Sequence, residues 1–174
     1  EGENAVQVTA RDRFAREGHD SRTLKLDTQP PQVIIVQPGE GDYTAETAVT
    51  VSGGVIDASP VTLHVEGVLA TLDGSAFTAT GVPVGNGPSI TLHAIAEDAA
   101  GNTGEDTVTI HVDRTPPTVA IDSPREGAYV KGPVLQVEGT VQDDSQAPVN
   151  VDVNGQPASV SGTPCRRLAV KAYS

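Results

Sequence analysis

Asp27 and Asp113 each open a nearly identical pentapeptide, DTQPP at residues 27–31 and DRTPP at residues 113–117. A carboxylate held beside a stiff prolyl pair suits a hard cation, since calcium collects six to eight oxygens from carboxylates and loop carbonyls. Asp98 lies in the turn-like stretch DAAGN, and Asp143 and Asp144 lie in DDSQ. Together they make a calcium-candidate set of Asp27, Asp98, Asp113, Asp143 and Asp144. The net charge of −12, from 23 Asp and Glu against 11 Lys and Arg, favours recruiting cations. The same residues also have a plain structural reading. Asp closes turns by accepting a bond from the backbone two residues on, and the spacing matches no EF-hand loop.

Three histidines form a second candidate set. His64, His93 and His111 sit in LHV, LHA and IHV, so each points away from its apolar neighbours. If Leu92 pairs with Ile110 and Ala94 with Val108, His93 and His111 lie diagonally on adjacent strands, with His64 on the next. Imidazoles on one sheet face bind zinc or nickel. Against this, the equivalent positions elsewhere in the chain are Gln7, Lys25 and Asp152, which reads as a row of outward polar sites.

Catalytic signatures are missing. No G-x-S-x-G elbow, H-E-x-x-H pair or Gly-rich phosphate loop is present, so the expectation is a protein that is not an enzyme. Clustered Lys and Arg for a phosphate backbone are lacking too, which argues against nucleic acid. No apolar stretch reaches the roughly 18 residues of a membrane span, so membrane insertion is not expected. Sugar rings stack on aromatic platforms, yet aromatics are only 3% of the chain, and Tyr43 and Tyr129 are the pair that recurs. The single cysteine, Cys165, allows no internal disulfide.

The elements that position these residues follow from internal repetition. Shifting the chain by 86 residues lays VIIVQPGEGDYTAETAVTVSGGVIDAS, from Val33, over VAIDSPREGAYVKGPVLQVEGTVQDDS, from Val119. Pro38 falls on Pro124, Gly41 on Gly127, Tyr43 on Tyr129, Gly53 on Gly139 and Asp57 on Asp143. After a two-residue insertion, PVTLHVEG from Pro60 matches PVNVDVNG from Pro148. Earlier in the chain, VQVTARD ending at Asp12 matches LHAIAED ending at Asp98, and LKLD ending at Asp27 matches IHVD ending at Asp113. Three domains are therefore expected. Residues 1–30 are the last strands of a preceding repeat, 31–116 a whole repeat, and 117–174 a truncated repeat.

Alternation of apolar and polar residues in TLHV, ITLHAIA and TVTIHV predicts half-buried strands. About seven are expected in the whole repeat, at 32–37, 47–53, 61–66, 69–72, 75–80, 89–97 and 105–112. That is the rhythm of an all-β, immunoglobulin-like sandwich. A Pro-Pro pair lacks two backbone donors and fixes φ, so each joint is a stiff connector. The correspondence ends at Gly162. The tail is aberrant from about residue 163, because CRRLAVKAYS lacks the expected alternation, and the last two strands of that repeat are absent. The start EGEN carries no initiator Met, as expected of a piece of a longer polypeptide.

The stretch DRTPPTVAIDSPREGAYV, the VEGTV strand, the VNG turn and the A-x-D-x-x-G-N pattern of AEDAAGN resemble tandem bacterial Ig-like repeats of the glucodextranase domain B type. The first repeat departs from the pattern, reading DRFAREG where the second reads DAAGNTG. The resemblance implies a non-catalytic spacer or interaction module, possibly adhesive, in a secreted or cell-surface bacterial protein. Its partners would be neighbouring repeats of the same polypeptide and a surface glycan or protein ligand, with calcium as the one possible cofactor and none required. The alternative is a carbohydrate-binding accessory module of a secreted glycoside hydrolase.

Overall fold

The computed structural model describes residues 2–132, 134–143, 149–161 and 165–173, and their regular structure is all β. The chain forms two compact units, Glu1–Val112 and Asp113–Ser174.

The first unit begins with a hairpin of β1 (Gly2–Arg11) and β2 (Glu17–Leu26), a two-stranded sheet of its own. A sandwich follows. One sheet has the order β3 (Gln32–Gln37), β5 (Ala48–Ile56), β9 (Ala76–Pro83), β8 (Thr71–Asp73). The other runs β4 (Tyr43–Thr44), β11 (Thr103–Val112), β10 (Ser89–Asp98), β6 (Val61–Val65), β7 (Val68–Leu69). The period-two pattern turns one face of each strand inward, and Val51, Leu63, Val65, Phe77, Ala79, Leu92, Ala94 and Ile110 are almost fully buried between the sheets. The chain changes sheets once inside an element that the sequence predicts as uninterrupted, and once between elements. Buried Ala70 separates β7 from β8, so the predicted strand 69–72 is two strands in different sheets, with the Ala70 N–H donating to the Leu63 carbonyl at 2.9 Å. The predicted first strand, 32–37, is β3 itself, and the second change of sheet follows it. β3 pairs with β5, and β4 then joins β11 in parallel. At that crossing the Ile35 N–H donates to the Asp106 carboxylate at 2.7 Å, tying the bulge in β3 to the opposite sheet.

Three glycines mark places where backbones touch. A Cβ on Gly53 would lie 2.0 Å from the Ile34 carbonyl oxygen, and one on its repeat counterpart Gly139 would lie 2.2 Å from that of Ala120. The repeat therefore conserves a packing constraint between its own copies, as well as letters. Gly104 on β11 meets the Pro31 carbonyl oxygen at 1.8 Å from the Cβ position, which places the exit of the first joint directly against this strand.

The second unit repeats the first sheet. Its order is β12 (Thr118–Ser123), β13 (Val134–Gln142), β17 (Cys165–Tyr173), β16 (Ser159–Ser161), with β14 (Asp152–Val153) and β15 (Gln156–Pro157) as a separate hairpin. The tail, though it lacks alternation, forms a strand in the slot that β9 occupies against β5, since backbone pairing needs no side-chain pattern. Its register is its own: Gly139 faces Leu168, whereas Gly53 faces Phe77, whose sequence counterpart is Cys165. Counterparts of β10 and β11 are lacking among the described residues. Among the residues whose burial is described, Val137 and Val141 are buried there, with Leu135, Val149, Val151, Val153, Ala158 and Val160 partly buried and packed against them.

Candidate functional site

At the end of β10 the chain turns on Asp98, whose side chain is buried. Its carboxylate accepts the backbone N–H groups of Ala100 and Asn102, each at 2.8 Å, and the Asn102 side-chain amide at 2.8 Å. The same amide donates to the Asp27 carbonyl at 3.3 Å, so the turn holds the strand end that precedes the first Pro-Pro pair. Asp57, in the loop between β5 and β6, accepts from the Ser59 N–H at 2.7 Å and the Ser59 hydroxyl at 2.8 Å. One carboxylate oxygen each from Asp27, Asp57 and Asp98 lies within 4.8 Å of the others. Three converging carboxylates repel one another, and an oxygen-only donor set of this kind suits a hard divalent cation.

Of the sequence-predicted acidic set, the structure brings Asp27 and Asp98 together and adds Asp57. Asp57 is missing from that set although Asp143, its counterpart 86 residues on, is in it. Asp113 repeats the local role of Asp27, accepting the Thr115 N–H at 2.9 Å where Asp27 accepts that of Gln29 at 3.2 Å. Asp113 and Asp143 are thus the counterparts of Asp27 and Asp57 at the next joint. The counterpart of Asp98 falls beyond the point where the repeat breaks off. Asp144 lies outside the described residues.

The histidine expectation is corrected. Leu92 pairs with Val108 and Ala94 with Asp106, not with Ile110 and Val108. His93 therefore faces Thr107, and His111 faces Ser89, two same-face positions away. His111 instead stacks on Tyr43 with ring centroids 4.8 Å apart. His64 faces Ile95, which keeps it diagonal to His93 as expected, and the two line one open pocket with Glu66 and Glu97. His111 stands apart from them, so the expected set of three imidazoles is not assembled.

The Asp98 turn is rebuilt in the hairpin from different letters. Asp12 accepts the N–H groups of Phe14 and Arg16 at 2.8 and 3.0 Å, and the Arg16 guanidinium reaches its carboxylate at 2.6 Å, where Asn102 serves Asp98. Burial alone would raise the Asp98 pKa, but bonds from the Asn102 side chain and from the backbone of Asn102, Ala100 and Gly101 together hold it below the ordinary carboxylate value. A lowered folded pKa gives stability that is present above the unfolded value and lost as pH falls through the folded one. Melting temperatures of the wild type and Asp98→Asn should therefore differ at neutral pH, and the gap should begin to narrow as pH falls below about 4 and go on narrowing until pH passes the lower folded value. A constant gap down to strong acid would mean that ionisation of Asp98 adds nothing.

With the fold and this geometry in place, the relatives are informative. Residues 31–114 match the family model described as glucodextranase, domain B. Bacillopeptidase F of Bacillus subtilis (strain 168) is 29% identical over 135 residues, a stretch covering 73% of this chain and 9% of that protein. Among solved structures, the fibronectin(III)-like modules of Clostridium thermocellum CbhA are 21% identical, covering 82% of this chain and 78% of theirs with a TM-score of 0.48. A tetra-tandem repeat from the extending region of a large adhesion protein is 22% identical, covering 99% of this chain and 45% of its own, with a TM-score of 0.41. The intact repeat at residues 31–114 is an Ig-like domain of the glucodextranase domain B type.

Proposed function

We propose that this chain is a run of non-catalytic sandwich repeats acting as a semi-rigid spacer in an extracytoplasmic bacterial protein, of the kind used in adhesion. The observation that carries the reading is the bracing of the first joint. The Asn102 amide bonds both Asp98 and the Asp27 carbonyl, and the Pro31 carbonyl packs against the bare Cα of Gly104. A connector that is fixed by the following domain as well as by its own prolines transmits orientation. Binding modules of the carbohydrate-accessory kind present aromatic platforms. Here Phe77 is buried in the core, Tyr43 is laid against His111 and Phe14 lies under Arg13 and Arg16, which leaves Tyr129 as a single open ring among the residues whose burial is described rather than a platform.

Calcium is the cation that suits the Asp27, Asp57 and Asp98 oxygens, and its role would be to tie that joint further. A cation that binds only the folded array stabilises it by mass action, by about 2.7 kcal/mol at a hundredfold excess over Kd. The full chain should therefore melt higher in millimolar calcium than in chelator, and should run unretarded through gels containing starch, dextran, xylan or chitin. An unchanged melting temperature would remove calcium and leave the spacer. Retardation by a glycan, or saturable hydrolysis of a polysaccharide or ester, would overturn the spacer itself.

A further inference from the structure

The outer face of the β4–β11–β10–β6–β7 sheet carries an open pocket between β6 and β10, to which β6 brings His64 and β10 brings His93. His64 lies between Leu63 and Val65, and His93 between Leu92 and Ala94, and all four of those neighbours are 0% exposed. The core therefore fixes both strand backbones and turns both imidazoles outward. Sites carried on such strands are more precise than sites on loops. His64 faces Ile95, two residues after His93, so the imidazoles stand diagonally across one strand pair, within reach of each other.

A carboxylate stands at the same corner. β6 ends at Val65, and Glu66 turns the chain with φ of 47°. Its N–H donates to the His93 carbonyl at 3.1 Å, and its Oε1 accepts the His93 N–H at 2.9 Å. The Glu66 side chain is thereby held at the root of the His93 ring. Glu97 faces Thr62, diagonal to His64 on the other side, and adds negative charge to the pocket. Two imidazole nitrogens and a carboxylate oxygen are a donor set for zinc or copper(II), whereas calcium takes oxygen ligands.

A row of outward polar residues would account for each position separately, and the other repeats show such a row. Gln7 stands where His93 does, Asp152 where His64 does and Asn154 where Glu66 does. The imidazole pair and its carboxylate come together in the middle repeat, at one pocket, and polarity alone does not select that combination. The donor atoms have further to converge, since among the described residues Asp27, Asp57 and Asp98 are the group with three ligand atoms already within 4.8 Å of one another. His64 and His93 are exposed, so rotation of their side chains brings the rings together. We propose that His64, His93 and Glu66 hold one zinc ion on the outside of the middle sandwich, with water completing its coordination.

Calorimetric titration of the full chain with zinc tests this, in millimolar calcium so that carboxylate-only sites are occupied, and copper(II) electron paramagnetic resonance counts the nitrogens. One zinc should bind per chain, and copper should show two imidazole nitrogens. His64→Gln and His93→Gln should each weaken zinc about tenfold or more and leave copper with one nitrogen. Glu66→Gln should weaken zinc and keep both nitrogens. His111→Gln and Asp57→Asn, outside the pocket, should change neither readout. Both imidazoles are exposed, so metal-free melting temperatures of their variants should match the wild type, and the wild-type nitrogen count needs no variant. Zinc that does not bind at millimolar concentration, binding indifferent to both histidine substitutions, binding lost in Asp57→Asn, or a wild-type copper spectrum with fewer than two nitrogens would each overturn the proposal.

Discussion

Replacing Phe77 by alanine is expected to destabilise the middle sandwich by about 3–5 kcal/mol, the usual cost of deleting a buried aromatic ring. Phe77 lies on β9, is 1% exposed and is the largest fully buried side chain of the protein's described residues. Its neighbours in the core are Val, Leu, Ile and Ala, which have no slack to close a ring-sized hole. It also lies against Gly53, whose Cβ position is 2.7 Å from the ring. Small domains hold only about 5–15 kcal/mol in total, so the variant should lose roughly a fifth of its stability or more. Denaturant unfolding of the middle transition provides the number. A loss below about 1 kcal/mol would place Phe77 outside the core and undo the packing described above.

Gly104→Ala should cost about 1–3 kcal/mol, an overpacking penalty imposed by backbone rather than side chain. The added methyl would sit 1.8 Å from the Pro31 carbonyl oxygen, and neither strand nor prolyl peptide can rotate the clash away. The internal control is Gly18→Ala, the same repeat position in the hairpin with open space around it, which should change stability by no more than about 0.5 kcal/mol. Equal effects at both positions would mean that the joint is not pressed against β11.

The two substitutions also show what was legible in the letters. Alternation marked nearly every strand, and β10 at Ser89–Asp98 and β11 at Thr103–Val112 extend the predicted 89–97 and 105–112 by one or two residues. It could not fix the pairing of those strands. Sliding one strand by two residues leaves every side chain on its face, so the expected Leu92–Ile110 partnership and the observed Leu92–Val108 one satisfy the same pattern. The histidine set failed for that reason. The sheet changes at Ala70 and after β3 are equally silent, because they depend on which sheet offers the nearer free edge. At the acidic site, Asp27 and Asp98 were readable from turn chemistry and the Pro-Pro joint. Asp57 entered only through topology, which folds the β5–β6 loop back onto a joint 30 residues earlier in the chain. The covering role of Gly104 had no sequence signal at all, since a glycine in a strand reads the same whether space or backbone lies beside it.

The central claim is that the following domain grips the first joint and makes it stiff. Backbone amide relaxation of the full chain measures this directly. A gripped joint predicts one rotational correlation time for the amides of residues 2–26 and 32–112, which then tumble as one body. A clearly shorter correlation time for the hairpin would show two bodies joined by a free hinge and would contradict the account.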